Sequence, residues 1–366
     1  MAKNFGCTWS KQILKHFTST GQQSNLKLFP REMRTSCSKS KFLYVASDET
    51  AQIIAKAIQP HYITNVPFFE VDPGPCILTR AFLQHLRPTT LALINRYKAE
   101  KFKTIQENLK LYQPQVLLKE EHVELFHYIS EYSVKQQWHE NIVAQLFLTL
   151  KTSRFINYLI YDIVFEKKLC KNGRVEIFAV MPTIESMKFM ADTECNYMLY
   201  THQSCMFQIL FECEILAEVC NLNFLPWYKD KKQLSRSVKY DEHSFCLMRM
   251  VPKKNLFSIL QPEELPLFKY FVHQCFFKRN GHIIPILEKW IPGIGITIMN
   301  SKEISSILAP NSGEKLNMYT RSGSLTPDQI CILFKIFQTL PQYKTSNFHN
   351  QCHKYHAKNK EELEDD

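Results

Sequence analysis

Residues 68–79 constrain the fold of this 366-residue chain more than any other stretch. An apolar run ends at Glu70, the chain turns through Pro73 and Gly74, and an amphipathic segment follows at 81–86. A strand, a loop and a helix in this order open nucleotide-binding α/β sheets, where the loop amides and the helix N-terminus face the ligand. The stretch therefore predicts an α/β fold with a ligand site around residues 70–79.

The remainder of the first 252 residues alternates between patterns typical of strands and patterns typical of helices. Short apolar runs predict strands at 91–94, 142–150, 175–180, 221–228 and 245–251. Apolar residues at spacings of three and four predict helices at 47–58, 155–165 and 199–220. Such alternation implies a mostly parallel sheet that helices cover on both faces.

The sequence also predicts a division into domains. After Pro252 only helical patterns remain, and Thr326 and Gln329 form the capping box of a late helix. We therefore expect a Rossmann-like domain at 41–252, a small helical domain at 253–345 and a polar, acidic tail at 346–366.

Residues 1–40 have the composition of a mitochondrial presequence. They are rich in basic residues, Ser and Thr, they contain Glu32 as their one acidic residue, and Phe5, Trp9, Ile13 and Phe17 recur every four positions. We expect this segment to be disordered and the protein to be located in the mitochondrial matrix. The alternative is a disordered basic tail. No short apolar core of a secretory signal occurs, which argues against secretion.

The composition narrows the class of protein further. The formal net charge of +10 includes +6 from residues 1–40 and −3 from residues 357–366, and the +7 of the body between them suits a polyanionic partner such as a nucleic acid. The 12 cysteines are scattered, with no Cys-x-x-Cys pair, and this favours free thiols in a reducing compartment. No run approaches the roughly 18 apolar residues that a membrane-spanning helix needs, so we expect no membrane span.

Four residues near the end of the chain are of metal-ligating types. They are His349, Cys352, His353 and His356. Because they lie in a polar tail with no predicted core around them, we expect no zinc site and assign no metal.

Residues 70–79 resemble the signature E-[IV]-G-P-G-x-G-x-L-T of the rRNA adenine N6-dimethyltransferases, the KsgA/Dim family. Three further segments, 247–257, 275–279 and 316–319, are similar to the mitochondrial branch of that family, and so is the acidic ending 361–366. The resemblance extends over residues 47–345 and is weak in the middle third. No single segment is specific for the family, but the combination of these segments is.

The resemblance implies a Rossmann-like S-adenosylmethionine-dependent methyltransferase fold with a small C-terminal helical domain. Enzymes of the family transfer two methyl groups from S-adenosylmethionine to adjacent adenines in a small-subunit rRNA hairpin. A paralogue in the mitochondrial branch instead acts as a transcription factor, which joins the mitochondrial RNA polymerase and helps to open promoter DNA.

The cofactor positions of the family are only partly matched. Asp72 and Cys76 stand where the family has its first and third loop glycines, and only Gly74 matches. The acidic residue that holds the ribose corresponds to Asn95, which supplies one acceptor and no charge. With Glu70 these residues form a degenerate cofactor-binding set, which makes binding of S-adenosylmethionine doubtful, because the cradle needs small residues.

The catalytic motif of the family, Asn/Asp-Leu/Ile-Pro-Tyr/Phe, has no match. The run at 144–148 lacks both the Asn and the Pro, and Asn157 lies in a helical pattern without a proline. We therefore assign no catalytic residue and expect methyltransferase activity to be weak or lost.

Basic clusters flanked by aromatic residues are candidates for nucleic-acid binding, because lysines neutralise phosphates and aromatic rings stack on unpaired bases. The alternative is an ordinary solvated surface. The candidates are Lys229, Lys231, Lys232, Arg236, Lys253, Lys254, Lys278 and Arg279. A further basic turn contains Lys167, Lys168, Lys171 and Arg174.

Three functions are compatible with these patterns. The first is a monomeric mitochondrial transcription initiation factor that binds the mitochondrial RNA polymerase and promoter DNA. The second is S-adenosylmethionine-dependent dimethylation of adjacent adenines in mitochondrial small-subunit rRNA. The third is a ribosome-assembly protein that binds rRNA without catalysis.

Overall fold

The structure, a computed structural model, divides the chain into two compact units. It describes residues 3–35, 42–95, 102–113, 115–119, 129, 131–166, 169–227, 244–278, 280–300 and 316–364. Unit 1 comprises Met1–Asp162, Lys167–Ser186 and Glu212–Lys254. Unit 2 comprises Ile163–Glu166, Met187–Phe211 and Asn255–Asp366. No helix in these described ranges is both long and apolar enough to cross a membrane.

Strands of unit 1 form a mixed sheet at its centre. In the described part of the chain the strands are β1 (Tyr44–Val45), β2 (Phe68–Val71), β3 (Leu91–Ile94), β4 (Val116–Lys119), β5 (Ala144–Thr149), β6 (Val175–Pro182), β7 (Phe211–Cys220), β8 (Phe224–Leu225) and β9 (Ser244–Pro252). Seven of them form one sheet in the order β4-β3-β2-β5-β6-β9-β7, and β1 pairs with β8. The strands from β4 to β6 are parallel, whereas β9 runs antiparallel to β6.

Helices precede, connect and follow these strands. Those of the first half are α1 (Lys3–Ser19), α2 (Gln23–Leu26), α3 (Arg31–Thr35), α4 (Asp48–Ile58), α5 (Ile77–His85), α6 (Lys103–Tyr112), α7 (Arg154–Val164) and α8 (Thr183–Met190). Those of the second half are α9 (His202–Leu210), α10 (Leu256–Ile259), α11 (Leu265–Phe276), α12 (Ile283–Glu288), α13 (Ile294–Asn300), α14 (Pro327–Thr339) and α15 (Phe348–Glu364). The parallel strands and their helices confirm the Rossmann-like fold that the sequence predicts.

The order of the strands determines where a ligand site can lie. The chain passes from β2 outward to β3 and β4, and then returns to the other side of β2 as β5. In open α/β sheets such a reversal leaves a crevice beyond the carboxyl ends of the two central strands. The loop after β2, residues 72–76, and the loop after β5, residues 150–153, therefore border the candidate site.

Aromatic side chains hold the centre of the sheet against α5. The ring of Phe82 on α5 lies 5.1 Å from that of Phe68 on β2 and 5.2 Å from that of Phe147 on β5, in edge-to-face contact. All three are buried. Burial of such rings contributes roughly 1.5–3 kcal/mol each, which fixes the loop between β2 and α5 at both ends.

A buried polar network joins three strands of the sheet. Glu176 on β6 accepts hydrogen bonds from Nε2 of Gln145 on β5 (2.5 Å) and from Nε of Arg249 on β9 (2.6 Å). Glu176 is 1% exposed, so its charge is matched by Arg249 within the protein. A shift of one residue in register would separate these partners, and the network therefore specifies the pairing of β5, β6 and β9.

The N-terminal segment is folded against unit 1, which differs from the disorder expected for residues 1–40. Ile13 and Phe17 of α1 are 1% and 0% exposed, and Phe29 is buried as well. Nε2 of His16 is 2.8 Å from Oδ1 of Asn223. The apolar face of α1, which the presequence pattern also requires, covers the core here. Removal of the segment as a presequence stays a prediction.

Residues 199–220 form two elements rather than the one helix that their apolar spacing predicts. The helix α9 ends at Leu210, and β7 begins at Phe211 and neighbours β9 in the sheet. The alternation of Glu212, Glu214 and Glu218 with partly buried residues suits an edge strand. The strand pair predicted at 221–228 and 245–251 is also wrong, because β8 pairs with β1 and β9 pairs with β6.

Unit 2 is held together by an aromatic core. The ring of Phe271 on α11 contacts Phe334 and Phe337 on α14, at centroid distances of 5.3 and 5.6 Å, and Phe348 at the start of α15. Phe348 is 0% exposed. The segment expected to be a polar tail is thus a helix over 348–364 whose first turn is part of this core.

Candidate functional site

The loop after β2 keeps a backbone that glycine adopts most readily. Asp72, Gly74 and Cys76 have φ angles of 52°, 57° and 59°, in the left-handed region. Residues with a Cβ pay roughly 1–2 kcal/mol for this conformation, although Asp tolerates it better than most. These are the three positions at which the resembling family has glycine. The loop therefore has a left-handed backbone at two positions where the family signature has glycine and this chain has a residue with a Cβ.

Buried side chains surround the start of this loop. Glu70, at the third position of β2, is 1% exposed, and no described residue supplies a hydrogen bond to its Oε2. Burial raises the pKa of Glu70 to about 8. Burial, reinforced by Glu70, also raises the pKa of the Cys76 thiol to about 12, which makes it an inert thiol rather than a nucleophile. Asp72 is 8% exposed, and its amide donates to the carbonyl of Ile94 on β3 (2.8 Å).

The ring of Tyr44 lies directly on Gly74. A Cβ at Gly74 would come within 2.5 Å of Cδ1 of Tyr44. The ring also contacts Phe102, at a centroid distance of 5.3 Å, and Phe102 in turn contacts Phe29 of the N-terminal segment at 6.1 Å. The hydroxyl of Thr149, at the end of β5, donates to the carbonyl of Leu43 (2.5 Å) and so ties the residue before Tyr44 to the crevice.

The side chain of Gln106, on α6, connects Asn95 with the loop. Its Nε2 donates to the carbonyl oxygen of Gly74 (3.1 Å) and to Oδ1 of Asn95 (3.3 Å), while its Oε1 accepts from Nδ2 of Asn95 (2.8 Å). Gln106 is 3% exposed. The amide of Asn95, at the position expected to hold a ribose, is therefore paired with a buried side chain of the protein.

These contacts do not fit an S-adenosylmethionine cradle. Such a cradle needs a small residue over which the cofactor approaches the backbone, and acceptors at the end of the second strand that are free to bind hydroxyls. Here Tyr44 covers the one remaining glycine, and Gln106 occupies both the carbonyl of Gly74 and the amide of Asn95. The structure brings all five predicted cofactor positions together, and the protein's own side chains fill the space among them.

The loop after β5 offers no counterpart of the family's catalytic motif. It consists of Leu150, Lys151, Thr152 and Ser153. The amide of Ser153 donates to Oε2 of Glu185 (3.1 Å), which anchors the start of α7. Asn157 lies within α7, as its helical pattern predicts, and not in this loop. No side chain of the loop is a carboxamide or an acid that could accept from a target amine.

The predicted nucleic-acid residues are only partly described. Lys254 and Lys278 are exposed, and Lys253 is partly exposed. Lys229, Lys231, Lys232, Arg236 and Arg279 lie outside the described residues, as do Lys167 and Lys168.

Arg174 does not belong to a basic surface, contrary to its place in the predicted basic turn. Its guanidinium donates to the carbonyls of Trp138 (2.9 Å), Glu140 (2.6 Å) and Pro252 (3.2 Å), and the residue is 7% exposed. Burial lowers its pKa. Since its donors are used by backbone carbonyls, Arg174 fixes loops of unit 1 and is not available to phosphates.

The four residues of metal-ligating type lie along α15, where Cys352 and His356 face α11. The Sγ of Cys352 is 3.9 Å and Nε2 of His356 is 2.9 Å from the carbonyl oxygen of Pro266. Burial lowers the pKa of His356 to about 4. Within the described ranges no group of three or more His, Cys, Asp or Glu residues is arranged to hold a metal ion.

Sequence reasoning missed the residues that fill the site. Tyr44 and Phe102 are aromatic residues outside any motif, and Gln106 lies in residues 98–140, which combine helix-like patterns with many charges and predict no strand. One signal was available. Asp72 and Cys76 have side chains where a cofactor cradle needs small residues, and protein interiors leave few voids, so neighbouring side chains are expected to pack against the loop.

The strand order and the loop after β2 define an α/β protein with the Rossmann-like fold of methyltransferases. No family model matches the sequence. The structure is similar to that of a dimethyladenosine transferase from Plasmodium falciparum, with a TM-score of 0.51 and 9% identity over 80% of this chain and 96% of that one. At this identity the similarity supports the fold alone.

The sequence comparisons are more specific. The chain is 26% identical over 351 residues to the mitochondrial dimethyladenosine transferase 2 of Drosophila melanogaster, covering 84% of this chain and 78% of the relative. It is 24% identical over 274 residues to the protein of the same name from Bos taurus, covering 68% of each. The resemblance to the KsgA/Dim family that the sequence motifs indicate is confirmed by these relatives, which all have the name mitochondrial dimethyladenosine transferase 2.

Proposed function

We propose that this protein is a mitochondrial transcription initiation factor that assists the mitochondrial RNA polymerase in opening promoter DNA. In this proposal the dimethyltransferase fold serves as a scaffold. The observation that carries the proposal is the filled cofactor loop, in which Tyr44 covers Gly74 and Gln106 binds both Gly74 and Asn95. A fold does not determine activity, which depends on the residues of the site.

The loss of two separate parts of the catalytic apparatus supports this proposal over turnover. Methyl transfer needs both a bound cofactor and acceptors that position the target amine. The cofactor loop is filled by side chains, and the loop after β5 has no carboxamide, acid or proline. One defect alone would leave a weakened enzyme. Because each removes a different requirement, together they favour a non-catalytic role.

The second candidate is S-adenosylmethionine-dependent dimethylation of adjacent adenines in mitochondrial small-subunit rRNA. It is favoured by the names of the relatives, which are dimethyladenosine transferases, and by the left-handed backbone that the loop retains at residues 72, 74 and 76. It requires that Tyr44 and Gln106 move away from Gly74 when the cofactor binds.

Exposed lysines supply the proposed contact with nucleic acid. Lys253 and Lys254 follow β9 directly, and the carbonyl of Lys253 accepts a hydrogen bond from Nε1 of Trp138 (2.9 Å), which fixes the backbone from which both side chains extend. In unit 2, Lys278 and the 73% exposed Phe277 are neighbours. A cation beside an exposed ring suits a single strand, which offers both phosphates and unpaired bases.

Location and partners follow from the same proposal. The relatives are named mitochondrial, and the basic, amphipathic start of the chain agrees with import, so we place the protein in the mitochondrial matrix. Its partners are then the mitochondrial RNA polymerase and promoter DNA, and we expect the protein to act as a monomer.

The proposal is tested by transcription with the mitochondrial RNA polymerase on linear promoter DNA. We expect run-off product only when the protein is present. The variant Lys253→Gln/Lys254→Gln should lower the yield and flatten its dependence on salt, because two phosphate contacts are lost. The matched control Lys56→Gln/Lys110→Gln removes two exposed lysines elsewhere in unit 1 and should act like the wild type. Absence of product with the wild type would exclude the proposed role.

Calorimetry with S-adenosylmethionine separates the two candidate functions. We expect no measurable heat of binding. A dissociation constant of about 1 µM, with methylation of an rRNA hairpin, would contradict the scaffold reading and support the transferase. Co-sedimentation with the small ribosomal subunit, without an effect on transcription, would instead support a ribosome-assembly protein.

A further inference from the structure

A cavity of about 420 Å³ lies among α1, α2 and α3, in the N-terminal segment of unit 1. One part of its lining is apolar and comes from Ile13, Leu14 and Leu26. The other part is polar and comes from Gln23 and from three cationic residues, Lys27, Arg31 and Arg34. Pockets for small molecules in proteins have volumes of roughly 300–1,000 Å³, with apolar walls and a few convergent polar groups. The cavity is of this kind, and it is separate from the filled cofactor loop.

The charges of the lining have one sign. None of the residues that line the cavity is acidic. Nε of Arg34 is shielded from solvent, and no described residue accepts a hydrogen bond from it. A buried donor without an acceptor destabilises the folded protein, and more so when it belongs to a charged group. An anion bound beside Arg34 would supply the acceptor.

The apolar part of the lining is fixed in place. Ile13 is 1% exposed and Leu26 is 6% exposed, since both also pack in the core of unit 1. The adjacent Asn25 donates to Oδ2 of Asp48 (2.7 Å) and to the carbonyl of Ala46 (3.2 Å), which anchors α2 to the domain. Leu14 is 47% exposed and stands at the open side. The wall is therefore preformed, and Leu14 supplies most of the apolar surface that a ligand can reach.

We propose that this cavity binds a small organic anion, with one phosphate or carboxylate group held by Arg34 and Lys27 and an apolar body against Leu14, at the edge of the buried Ile13 and Leu26. Guanidinium groups bind such anions through paired, charge-assisted hydrogen bonds. The apolar wall excludes inorganic phosphate as the preferred ligand. An alkyl phosphate combines both features and serves as the probe. The site lies outside everything assigned above, and it requires that residues 13–34 stay in the folded protein.

The test is calorimetric titration of the full chain with decyl phosphate below its micelle concentration. Inorganic phosphate and decanol are titrated in parallel. We expect decyl phosphate to bind at least about tenfold more tightly than either, because only it uses both parts of the cavity. Arg34→Gln should weaken binding by about tenfold or more, since it removes a charge-assisted hydrogen bond. Lys110→Gln, which removes an exposed lysine from α6, should have no effect.

Further arms separate a lost ligand contact from a lost fold. Leu14→Asp places a carboxylate at the mouth without emptying the core, and it should abolish binding while the circular dichroism spectrum and melting temperature stay those of the wild type. Equal affinity for phosphate and decyl phosphate, or equal losses in Arg34→Gln and Lys110→Gln, would overturn the proposal. Binding to vesicles that contain phosphatidic acid, without binding of free decyl phosphate, would identify a membrane-held headgroup and also contradict it.

Discussion

The contact between Tyr44 and Gly74 can be measured through the substitution Gly74→Ala. Gly74 has a φ of +57°, and a Cβ at this position would be 2.5 Å from Cδ1 of Tyr44. The left-handed backbone costs a residue with a Cβ about 1–2 kcal/mol, and an overpacked side chain costs about 1–3 kcal/mol more. We therefore expect Gly74→Ala to lower the free energy of unfolding by about 2–5 kcal/mol.

A control substitution and a double-mutant cycle separate these two contributions. Gly21→Ala is the control, because Gly21 has a φ of +71° and a Cβ there would meet nothing within 4 Å, so only the backbone cost of about 1–2 kcal/mol remains. In a Tyr44→Ala background the clash at Gly74 is removed as well. The cycle should therefore give a coupling energy of about 1–3 kcal/mol between positions 44 and 74.

The assay is equilibrium unfolding in urea, followed by circular dichroism, with midpoints and slopes fitted for all variants. A loss of stability in Gly74→Ala no larger than that in Gly21→Ala would refute the contact. Additive effects of Tyr44→Ala and Gly74→Ala would refute it independently, because residues that touch are expected to couple. Either result would also remove the main support for a filled cofactor loop.

Three further predictions concern buried groups. Burial raises the pKa of Glu70 from 4.5 to about 8, so between these pH values the folded protein holds a proton that the unfolded chain has lost. The free energy of unfolding should therefore fall by as much as about 5 kcal/mol as the pH rises through this range. Glu70→Gln should remove this fall in urea titrations at several pH values. Burial lowers the pKa of His202 from 6.5 to about 4. The free energy of unfolding should therefore drop by about 3 kcal/mol as the pH falls through this range, and in His202→Gln it should depend less on pH there. Arg174→Leu leaves three backbone carbonyls without their donor and should lower the free energy of unfolding by about 3 kcal/mol or more in the same urea assay. As a control, substitution of an exposed residue, Lys171→Leu, should lower it by less than about 1 kcal/mol.

The sequence predicted the parts of the fold that local patterns determine. The run ending at Glu70, the helix capped by Ser47 and the helix capped by Thr326 all form as expected, because an apolar face and a capping residue act over a few neighbouring positions. The helix predicted over residues 199–220 is wrong at residues 211–220 for the same reason. Their apolar spacing suits a helix, but pairing beside β9, a contact with residues 30 or so positions away, makes them a strand.

The candidate site shows a similar limit. The sequence shows that Asp72 and Cys76 stand where the family signature has glycine, because the signature assigns a fixed residue to each position. Which side chains pack around Gly74 could not be predicted, since Tyr44 and Gln106 approach it from segments that are 30 and 32 residues away along the chain. Likewise the sequence shows that Arg174 is a cation, and only the structure shows that its guanidinium donates to three backbone carbonyls.

The three left-handed residues of the loop bear on how a cofactor site is lost in evolution. Replacing a glycine there by Asp or Cys costs only about 1–2 kcal/mol while the main chain stays in place. Each replacement is therefore tolerable by itself once binding is no longer selected, and neither demands a second change in the loop. Reversion to glycine is equally open. At this loop the chain differs from the family signature in its side chains, and a main-chain path that glycine adopts readily remains available to selection or to an engineer.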